Sequence, residues 1–256
     1  MHRVTGIEAD EVHLHWVPLR GLDDAQLLAG YAALMEPHEA AQQRRFVFEK
    51  NRHEYLVTRA LVRTVLSRYA DVPPAAWRFT RNHWGRPEVS APALDRPLRF
   101  NLSNTDGLVA CLVVLACDAG VDVEHVRRPG STVEVADSFF SPAEVQELWA
   151  QPEASRRERF FCYWTLKEAY IKARGMGLAI PLDQFSFALG ADPFRAPIRL
   201  SFDARLEDAP ADWQLRLFRP TPVHLMAAAI RRGQKPDLRI ALHKTVPLVE
   251  TPLLVS

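Results

Sequence analysis

An unbroken apolar run at residues 108–116 limits most strongly how this chain can fold. A short apolar run bounded by turn residues is typical of a strand that is buried on both faces. A turn at residues 118–120 follows the run and leads into residues 120–124 (GVDVE), where valines alternate with acidic residues as in a second strand. Helices and strands are predicted in a loosely similar order on both sides of this turn. We therefore expect two α+β halves of similar length, with a seam near residues 116–120.

The residues before the seam predict a strand, a helical region and then further strands. Val12, Leu14 and Trp16 alternate with polar neighbours, which indicates an opening strand. Residues 22–68 have a helical pattern in at least two pieces, because Pro37 interrupts it. The further strands are predicted at residues 77–80, 98–102 and 108–116.

The residues after the seam begin with helices and end with strands. Ser141, Pro142 and Glu144 have the signature of a capped helix start. A longer helix is predicted over residues 156–173 and ends at the glycines within residues 174–177. Strands are predicted at residues 185–189, 198–202, 213–218, 224–230 and 238–243. The expected organisation is an N-terminal half (residues 1–117), a C-terminal half (residues 118–245) and a tail (residues 246–256).

The composition of the chain excludes several classes of function. The 256 residues are 48% hydrophobic and 25% charged, as in an ordinary globular protein. A formal net charge of +1 gives no field that would attract nucleic acid or a membrane surface. There is no apolar run of about 18 residues and no apolar signal core, and the three cysteines lack metal-ligand spacing. We expect a cytoplasmic protein with buried free thiols that binds neither nucleic acid nor membranes.

Two acidic segments place chemically active side chains on shared faces. On the acidic strand, Asp122 and Glu124 project from one face, and on the predicted long helix Glu168 and Lys172 lie one turn apart. Carboxylate oxygens suit Mg²⁺, and an adjacent ammonium suits phosphate charge or a proton transfer. The pattern favours a metal-assisted site for a phosphate-bearing substrate. From the residues alone, a solvated strand face and a surface ion pair remain as alternatives.

Several short segments occur together in the order and spacing of a known family. They are residues 84–87 (WGRP), 100–105 (FNLSNT), 120–124 (GVDVE), 139–141 (FFS) and 164–177 (WTLKEAYIKARGMG). Over roughly residues 10–230, the chain resembles the 4′-phosphopantetheinyl transferases of the larger, single-chain, surfactin-synthetase-activating type. The resemblance implies a monomer folded as an α+β pseudo-dimer of two similar halves, with the active site in the cleft between them.

The resemblance also implies a reaction. Members of the family move the 4′-phosphopantetheine arm of coenzyme A onto a serine hydroxyl of an acyl or peptidyl carrier protein, release 3′,5′-ADP and need Mg²⁺. Such carriers serve fatty-acid, polyketide or nonribosomal peptide synthesis. By resemblance, Asp122, Glu124 and Glu168 hold the metal. Glu168 is also assigned as the general base, and Lys172 is assigned to the phosphate and its developing charge.

A second set of residues is implied in binding coenzyme A. Arg86 stands in the Gly-Lys/Arg-Pro turn that lies near the phosphates in the family, and Ser103 and Thr105 offer hydroxyls from a loop after a strand. Asn104 stands where the family usually has a histidine. An amide can donate to a phosphate oxygen but carries no charge and shuttles no proton, so we expect a binding role there.

Arg52 and Arg59 are our candidates for binding the 3′-phosphate of coenzyme A, with Arg63 as the second choice. Better-known members of the family carry lysines in the region where this chain has Glu39 and Gln42. The three arginines lie near one face of the predicted helix and could replace those lysines. A solvated basic face is the alternative interpretation of the same spacing.

The carrier protein is expected to dock on residues 125–138, where Arg127 and Arg128 would attract an acidic partner. Phe139 and Phe140 could guide the arm, although burial is the commoner place for such aromatic side chains.

Two other functions fit the same sequence. One is a non-catalytic module that binds coenzyme A or a carrier protein, favoured by the missing histidine. The other is a Mg²⁺-dependent phosphodiesterase or nuclease, although the near-neutral charge disfavours a nucleic-acid substrate.

Overall fold

The computed structural model of the protein describes residues 1–130 and 133–249, and it divides into two compact units. Both units combine helices with largely antiparallel sheet, which confirms the predicted α+β class. Unit 1 consists of Met1–His83, Pro87–Cys117 and the chain from Leu238 onward, and unit 2 consists of Trp84–Arg86 and Asp118–Asp237.

Unit 1 is built on a mixed four-stranded sheet. Its strands are β1 (Glu11–Pro18), β2 (Arg78–Arg81), β3 (Pro87–Ala91), β4 (Leu98–Thr105), β5 (Leu108–Leu115) and β11 (Arg239–Lys244), and its helices are α1 (Ala25–Leu34), α2 (Pro37–Arg44) and α3 (Glu49–Leu66). The sheet has the order β11-β1-β5-β4, and β2 pairs separately with β3.

The core of unit 1 lies between α3 and β5. Every residue of β5 is buried, as its apolar run predicts. On α3 the fully buried Val57, Leu61 and Val65 recur at intervals of one turn, so that this face of the helix packs on the strand. The helical region was predicted in at least two pieces, and the chain does leave the helical conformation between α1 and Pro37.

The last strand belongs to unit 1, so its assignment to the C-terminal half was wrong. β11 lies parallel to β1, with Leu14 opposite Leu242 and His15 opposite His243. The other edge of β1 is paired with β5, so β11 extends this sheet rather than the sheet of unit 2. Residues 84–86, which were predicted in the first half, group with unit 2 instead. Of the predicted tail, residues 250–256 lie outside the described part of the chain.

β4 extends further than the sequence predicted. Its pairing with β5 continues to Thr105, which lies opposite Leu108. Residues 101–105 therefore lie in a strand rather than in a loop. Because side chains alternate along a strand, Ser103 and Asn104 project from opposite faces, and Ser103 is buried whereas Asn104 is exposed.

Unit 2 consists of a three-stranded sheet covered by one long helix. Its strands are β6 (Ala119–His125), β7 (Phe185–Ala188), β8 (Arg199–Phe202), β9 (Trp213–Thr221) and β10 (His224–Arg231), and its helices are α4 (Ala136–Phe139), α5 (Pro142–Ala150) and α6 (Glu153–Arg174). The sheet has the order β6-β10-β9, β7 pairs with β8, and α6 packs on β6 and β10. Across residues 1–130 and 133–249, no helix has the length and apolar character needed to cross a membrane.

A buried ion pair sets the rotation of α6 about its own axis. Ser141 and Glu144 form the predicted capping box at the start of α5. The side chain of Lys167 on α6 is fully buried, and its Nζ lies 2.8 Å from a carboxylate oxygen of Glu144. The same ammonium donates to the carbonyl oxygens of Leu182 and Phe185, each at 2.7 Å. Because Lys167 is fixed on the side of α6 that faces Glu144, the next residue, Glu168, projects from a different side of the helix.

Candidate functional site

β6 and α6 bring Asp122 and Lys172 into direct contact. The Nζ of Lys172 lies 2.7 Å from Oδ1 of Asp122. Gly120 permits this approach, because a Cβ atom there would lie 2.2 Å from the carbonyl oxygen of Ala169 and 2.5 Å from the backbone nitrogen of Ala173. The strand backbone therefore lies directly against the helix backbone, two residues before Asp122.

Glu124 is buried on the same strand face as Asp122. Its Oε2 lies 3.3 Å from a guanidinium nitrogen of Arg128. Burial, followed by the negative charge of Asp122, raises the pKa of Glu124 to about 7. This carboxyl therefore holds a proton for much of the time at neutral pH, and a cation placed beside it would favour its ionised form.

Glu168 lies one helical turn before Lys172 and is half-buried. Burial, followed by the charge of Asp122, raises the pKa of Glu168, whereas Lys172 acts in the opposite direction. Asp122, Glu124, Glu168 and Lys172 are thus electrostatically coupled, and we call them the acidic cluster. A raised pKa makes a carboxylate a better general base near neutral pH.

The acidic cluster fits a hard divalent cation by the chemistry of its donors. Its three carboxylates offer oxygen, the ligand that Mg²⁺ prefers, and the pKa values of Glu124 and Glu168 are raised in part by neighbouring negative charge that a cation would offset. In the part of the chain that the structure describes, these oxygens are not among the ligand groups that lie mutually within 4.8 Å. Magnesium keeps several waters of its own, so it does not require a closed cage of protein ligands.

Arg86 groups with unit 2 and lies at the C-terminal end of α6. Its guanidinium donates to Oδ1 of Asp118 at 3.3 Å and to the carbonyl oxygen of Ala173 at 3.2 Å. Gly175 ends the helix with a φ of +65°, and a Cβ atom there would lie 2.8 Å from the guanidinium of Arg86. Arg86 therefore holds the residue that precedes β6 against the end of α6.

The predicted loop at Ser103, Asn104 and Thr105 is the end of a strand, β4. The three side chains therefore do not lie together on one face. Ser103 and Thr105 share one face of β4, where Ser103 is buried and Thr105 is half-buried. The exposed Asn104 donates from its amide to the carboxylate of Glu54. Burial raises the pKa of Glu54. The three residues remain predicted coenzyme A contacts, but a single ligand atom cannot meet all three side chains from one side of the strand.

Arg63 is enclosed in unit 1 and is poorly placed for phosphate. Its side chain is fully buried, its guanidinium lies 2.7 Å from a carboxylate oxygen of Glu39, and it stacks 5.0 Å from the centre of the Phe79 ring. Glu39, in the region where the resemblance implies lysines, therefore forms an ion pair with an internal arginine. Arg63, the second choice for binding the 3′-phosphate, therefore forms an ion pair inside unit 1.

Arg52 and Arg59 are both already engaged within unit 1. Arg52 donates to the carbonyl oxygens of Phe46 at 2.8 Å and Val47 at 3.1 Å, in the connection between α2 and α3. Arg59 lies 3.8 Å from a carboxylate oxygen of Glu39, and its pKa is lowered by burial. Both arginines stay predictions for the 3′-phosphate, and each would have to share its guanidinium with the contacts described.

The two arginines of the predicted docking segment have different surroundings. Arg127 is exposed, whereas Arg128 pairs with a carboxylate of the acidic cluster. Phe139 is 48% exposed and Phe140 is buried, so the two aromatic residues have different surroundings. Residues 131–132 of this segment lie outside the described part of the chain.

Sequence reasoning missed two ion pairs that shape this region. Arg128 was assigned to docking, but it is the partner of Glu124. Lys167 was treated as part of a motif, but it anchors α6 to α5. A signal for the second pair was available, because Lys167 occupies the same helical stripe as Tyr163 and Tyr170, both buried. A lysine on an apolar stripe indicates a buried partner.

Comparison with known proteins identifies the family. A family model described as "4′-phosphopantetheinyl transferase superfamily" matches residues 118–224, and one described as "4′-phosphopantetheinyl transferase, N-terminal" matches residues 16–117. The 4′-phosphopantetheinyl transferase HetI of Nostoc sp. is 32% identical over 223 residues, which are 87% of this chain and 88% of the relative. The chain belongs to the 4′-phosphopantetheinyl transferase superfamily.

A relative from Bacillus agrees with this membership, and one solved structure was also matched. The 4′-phosphopantetheinyl transferase Sfp of Bacillus subtilis is 31% identical over 166 residues, which are 63% of this chain and 70% of that protein. The crystal structure of Thermotoga maritima holo-[acyl-carrier-protein] synthase aligns with 47% of this chain and 66% of its own, at 20% identity and a TM-score of 0.36. The relatives from Nostoc and Bacillus confirm the predicted enzyme class and the larger type within the superfamily.

Proposed function

We propose that this member of the superfamily transfers the 4′-phosphopantetheine arm of coenzyme A to a serine hydroxyl of an acyl or peptidyl carrier protein, in a Mg²⁺-dependent reaction that releases 3′,5′-ADP. The acidic cluster at the junction of β6 and α6 is the observation that carries this proposal. Transfer of a phosphoryl group requires positioning and charge stabilisation more than covalent chemistry from the protein. Three carboxylates beside a lysine suit that requirement.

Each side chain of the acidic cluster has a proposed role. Asp122, Glu124 and Glu168 would hold the ion, which when bound supplies positive charge to pyrophosphate oxygens. Lys172, oriented by its contact with Asp122, donates to a phosphate oxygen as negative charge develops. The serine oxygen forms a bond to the β-phosphorus while the bond from that phosphorus to 3′,5′-ADP breaks. Glu168 accepts the proton of the serine hydroxyl.

Two surface features support a role for the carrier protein as partner. Arg127 is exposed and basic, and Phe139 is exposed and apolar, so together they suit an acidic partner with an apolar contact. We propose that Arg127 increases the association rate and that Arg128, held on Glu124, acts within the acidic cluster instead. Arg86 is the proposed phosphate contact from unit 2, since the planar fork of a guanidinium matches phosphate oxygens.

Intact-mass spectrometry of an apo acyl carrier protein tests the proposal. The carrier is incubated with the protein, coenzyme A and Mg²⁺, with EDTA in a parallel reaction. We expect the carrier to gain one phosphopantetheine arm, and EDTA to prevent the gain. Asp203→Asn is a matched control, because Asp203 is a carboxylate of the same unit that pairs with Arg205 away from β6 and α6.

Other results would favour the alternative functions. Binding of coenzyme A without transfer to several carrier proteins would indicate a binding module, with the missing histidine at Asn104 as the first suspect. Cleavage of coenzyme A in the absence of any carrier would indicate a phosphodiesterase. Either result would contradict the proposed transfer.

A further inference from the structure

A group of histidines in the sheet of unit 1 is separate in sequence from the acidic cluster. His13 and His15 project from one face of β1, and His243 lies opposite His15 on β11. All three side chains are buried, and one ring nitrogen of each lies within 4.8 Å of those of the other two. The rings of His15 and His243 are stacked with their centroids 4.7 Å apart. We call these three residues the histidine cluster.

The hydrogen bonds around the histidine cluster indicate which ring nitrogens carry protons. The hydroxyl of Thr245 donates to the carbonyl oxygen of His243 at 3.4 Å, so at 2.9 Å it accepts the Nδ1 proton of His15. In a neutral ring Nε2 of His15 then accepts the proton of the Tyr69 hydroxyl, 2.6 Å away. A phenol has one proton, so the same hydroxyl accepts the Nδ1 proton of His13 at 2.8 Å. Nε2 of His13 is left with a lone pair.

Two nitrogen atoms of the histidine cluster therefore lack a suitable hydrogen-bond donor. Nε2 of His13 lies 3.4 Å from Oε2 of Glu11, which places two acceptors opposite each other. Among the residues that the structure describes, Nε2 of His243 is buried with no hydrogen-bond partner. A buried polar atom without a partner is costly, and a cation at this point would satisfy both nitrogens. It would share the Glu11 carboxylate, which also accepts the backbone N–H of Glu8 at 2.9 Å and lies 2.9 Å from the guanidinium of Arg239. Burial lowers the pKa of His13 and, to about 4, that of His243, in keeping with neutral rings.

We propose that the histidine cluster and Glu11 bind a divalent transition-metal ion, Zn²⁺ before others, which links β11 to β1. Nε2 of His15 would give up its hydrogen bond from the Tyr69 hydroxyl to become the third nitrogen ligand. Three imidazoles with one carboxylate form a donor set that Zn²⁺ accepts in tetrahedral geometry. Bonds of about 2.0–2.1 Å to zinc require the nitrogens to approach to about 3.4 Å from one another, which rotation of the rings can supply. Nδ1 of His13 already donates to Tyr69, the outer hydrogen bond that holds a metal-bound histidine in place.

The position of the histidine cluster suggests what the ion does. β11 is the edge strand of its sheet and pairs with β1, although the two strands come from opposite ends of the chain. A metal ion that joins two distant segments adds its binding free energy to the folding of the protein. The carboxylate oxygens of the acidic cluster suit hard ions such as Mg²⁺, whereas the imidazole nitrogens of the histidine cluster suit transition metals such as Zn²⁺. The two clusters should therefore bind different ions from the same solution.

Zinc affinity of the full-length, metal-free protein tests this proposal. Zn²⁺ is competed against a chromophoric chelator, with Mg²⁺ in excess so that the acidic cluster does not contribute. We expect one zinc ion per chain, with affinity at least about tenfold weaker in His243→Gln. His53→Gln is the matched control, because His53 is a unit 1 histidine that contacts the carbonyl oxygen of Leu22 at 2.8 Å, and it should bind as the parent does. Equal affinity in the parent and His243→Gln would overturn the proposal.

A measurement on the parent protein removes any dependence on how the variants fold. The side-chain nitrogens of its nine histidines are followed by ¹⁵N nuclear magnetic resonance as Zn²⁺ is added. We expect His13, His15 and His243 to shift together and the thermal midpoint of unfolding to rise. Zinc-induced shifts confined to other histidines, or no shifts at all, would show that the histidine cluster is a set of packed side chains.

Discussion

The acidic cluster of unit 2 and the histidine cluster of unit 1 both consist of buried or half-buried ionisable side chains around a strand, but the chain assembles them differently. In unit 2, Asp122 and Glu124 follow each other on β6, and Glu168 and Lys172 follow each other on α6. In unit 1, the third histidine arrives from the other end of the chain through parallel pairing of β11 with β1. A cluster made from short periodic segments leaves a local signal in the sequence, whereas one made by distant pairing does not.

Burial also affects the two clusters in opposite directions. It raises the pKa of Glu124 and Glu168, and it lowers the pKa of His15 and His243. In each case the neutral form gains, because a charged group loses its hydration when it is buried. A bound cation would reverse this for the carboxylates by favouring their ionised form, whereas neutral imidazoles are already in the form that binds a metal. The comparison therefore predicts a strong pH dependence of metal affinity for the acidic cluster.

The largest effect is expected from Asp122→Asn. This substitution keeps the size of the side chain but removes a proposed metal ligand and the partner of Lys172. We expect carrier-protein modification to slow by at least about a thousandfold, while the fold, followed by circular dichroism, stays intact. Near-parental rates would show that Asp122 does not contribute to transfer. The acidic cluster would then not be a reaction site, and the contrast with the histidine cluster would fail.

The same contrast explains which parts of the fold and of the site could be predicted from the sequence. The capping box at Ser141 and the buried β5 were predicted because capping and periodicity are local properties. For the acidic cluster, periodicity gave two pairs of residues, one on a strand face and one on a helix face. The family resemblance then favoured a shared site over a solvated surface.

Long-range contacts were not visible in the sequence. The pairing of β11 with β1, and of Thr105 with Leu108 at the end of β4, depends on which strand edges meet. Similarly, the spacing of Arg63 places it near the same helix face as Arg52 and Arg59. Its ion-pair partner Glu39, however, lies on the preceding helix. Spacing identifies a shared face and does not identify what covers that face.

A second effect is expected from Gly120→Ala, which tests how β6 meets α6. The added Cβ would overlap backbone atoms of Ala169 and Ala173, which cannot move independently of the helix. We expect unfolding in urea to show a loss of about 2–3 kcal/mol, with loss of transfer activity. Gly30→Ala on α1 is the control, because its Cβ would meet the flexible side chain of Leu248 at 3.1 Å, and its effect should stay within about 1 kcal/mol. Equal effects of the two substitutions would mean that the strand–helix contact is not tight.

The stability of the metal-free protein should depend on pH through Glu124. Its pKa of about 7 in the folded protein lies above the ordinary value of 4.5. Its contribution is therefore complete below pH 4.5 and decreases as the pH rises towards 7, since the unfolded chain releases the proton first. Urea unfolding in EDTA between pH 5 and pH 8 measures this decrease, which should be smaller in Glu124→Gln because only Glu168 of the pair then contributes. The same pH dependence in both proteins would place Glu124 in contact with water.

Metal affinity should show the opposite dependence on pH. Because an ion must displace the proton of Glu124, we expect the affinity for Mg²⁺ to rise by up to about tenfold per pH unit below pH 7 and then to level off. Calorimetric titration with Mg²⁺ in the presence of coenzyme A measures it. A constant affinity over this range would indicate that Glu124 is not a ligand.

The smallest effect is expected from Asn104→His. The side chain is exposed and donates to Glu54, and an imidazole N–H can make the same contact. We expect the transfer rate to stay within about twofold of the parental rate in the carrier-protein assay. A large loss would mean that residue 104 contributes more than binding, and that unit 1 affects the reaction through it.

Anomalous diffraction from crystals grown with coenzyme A and Mn²⁺, as a substitute for Mg²⁺, tests the central claim most directly. The account predicts a manganese peak within coordination distance of carboxylate oxygens of Asp122, Glu124 and Glu168. A crystal that supports transfer but shows its manganese elsewhere, with no peak at the acidic cluster, would contradict the account.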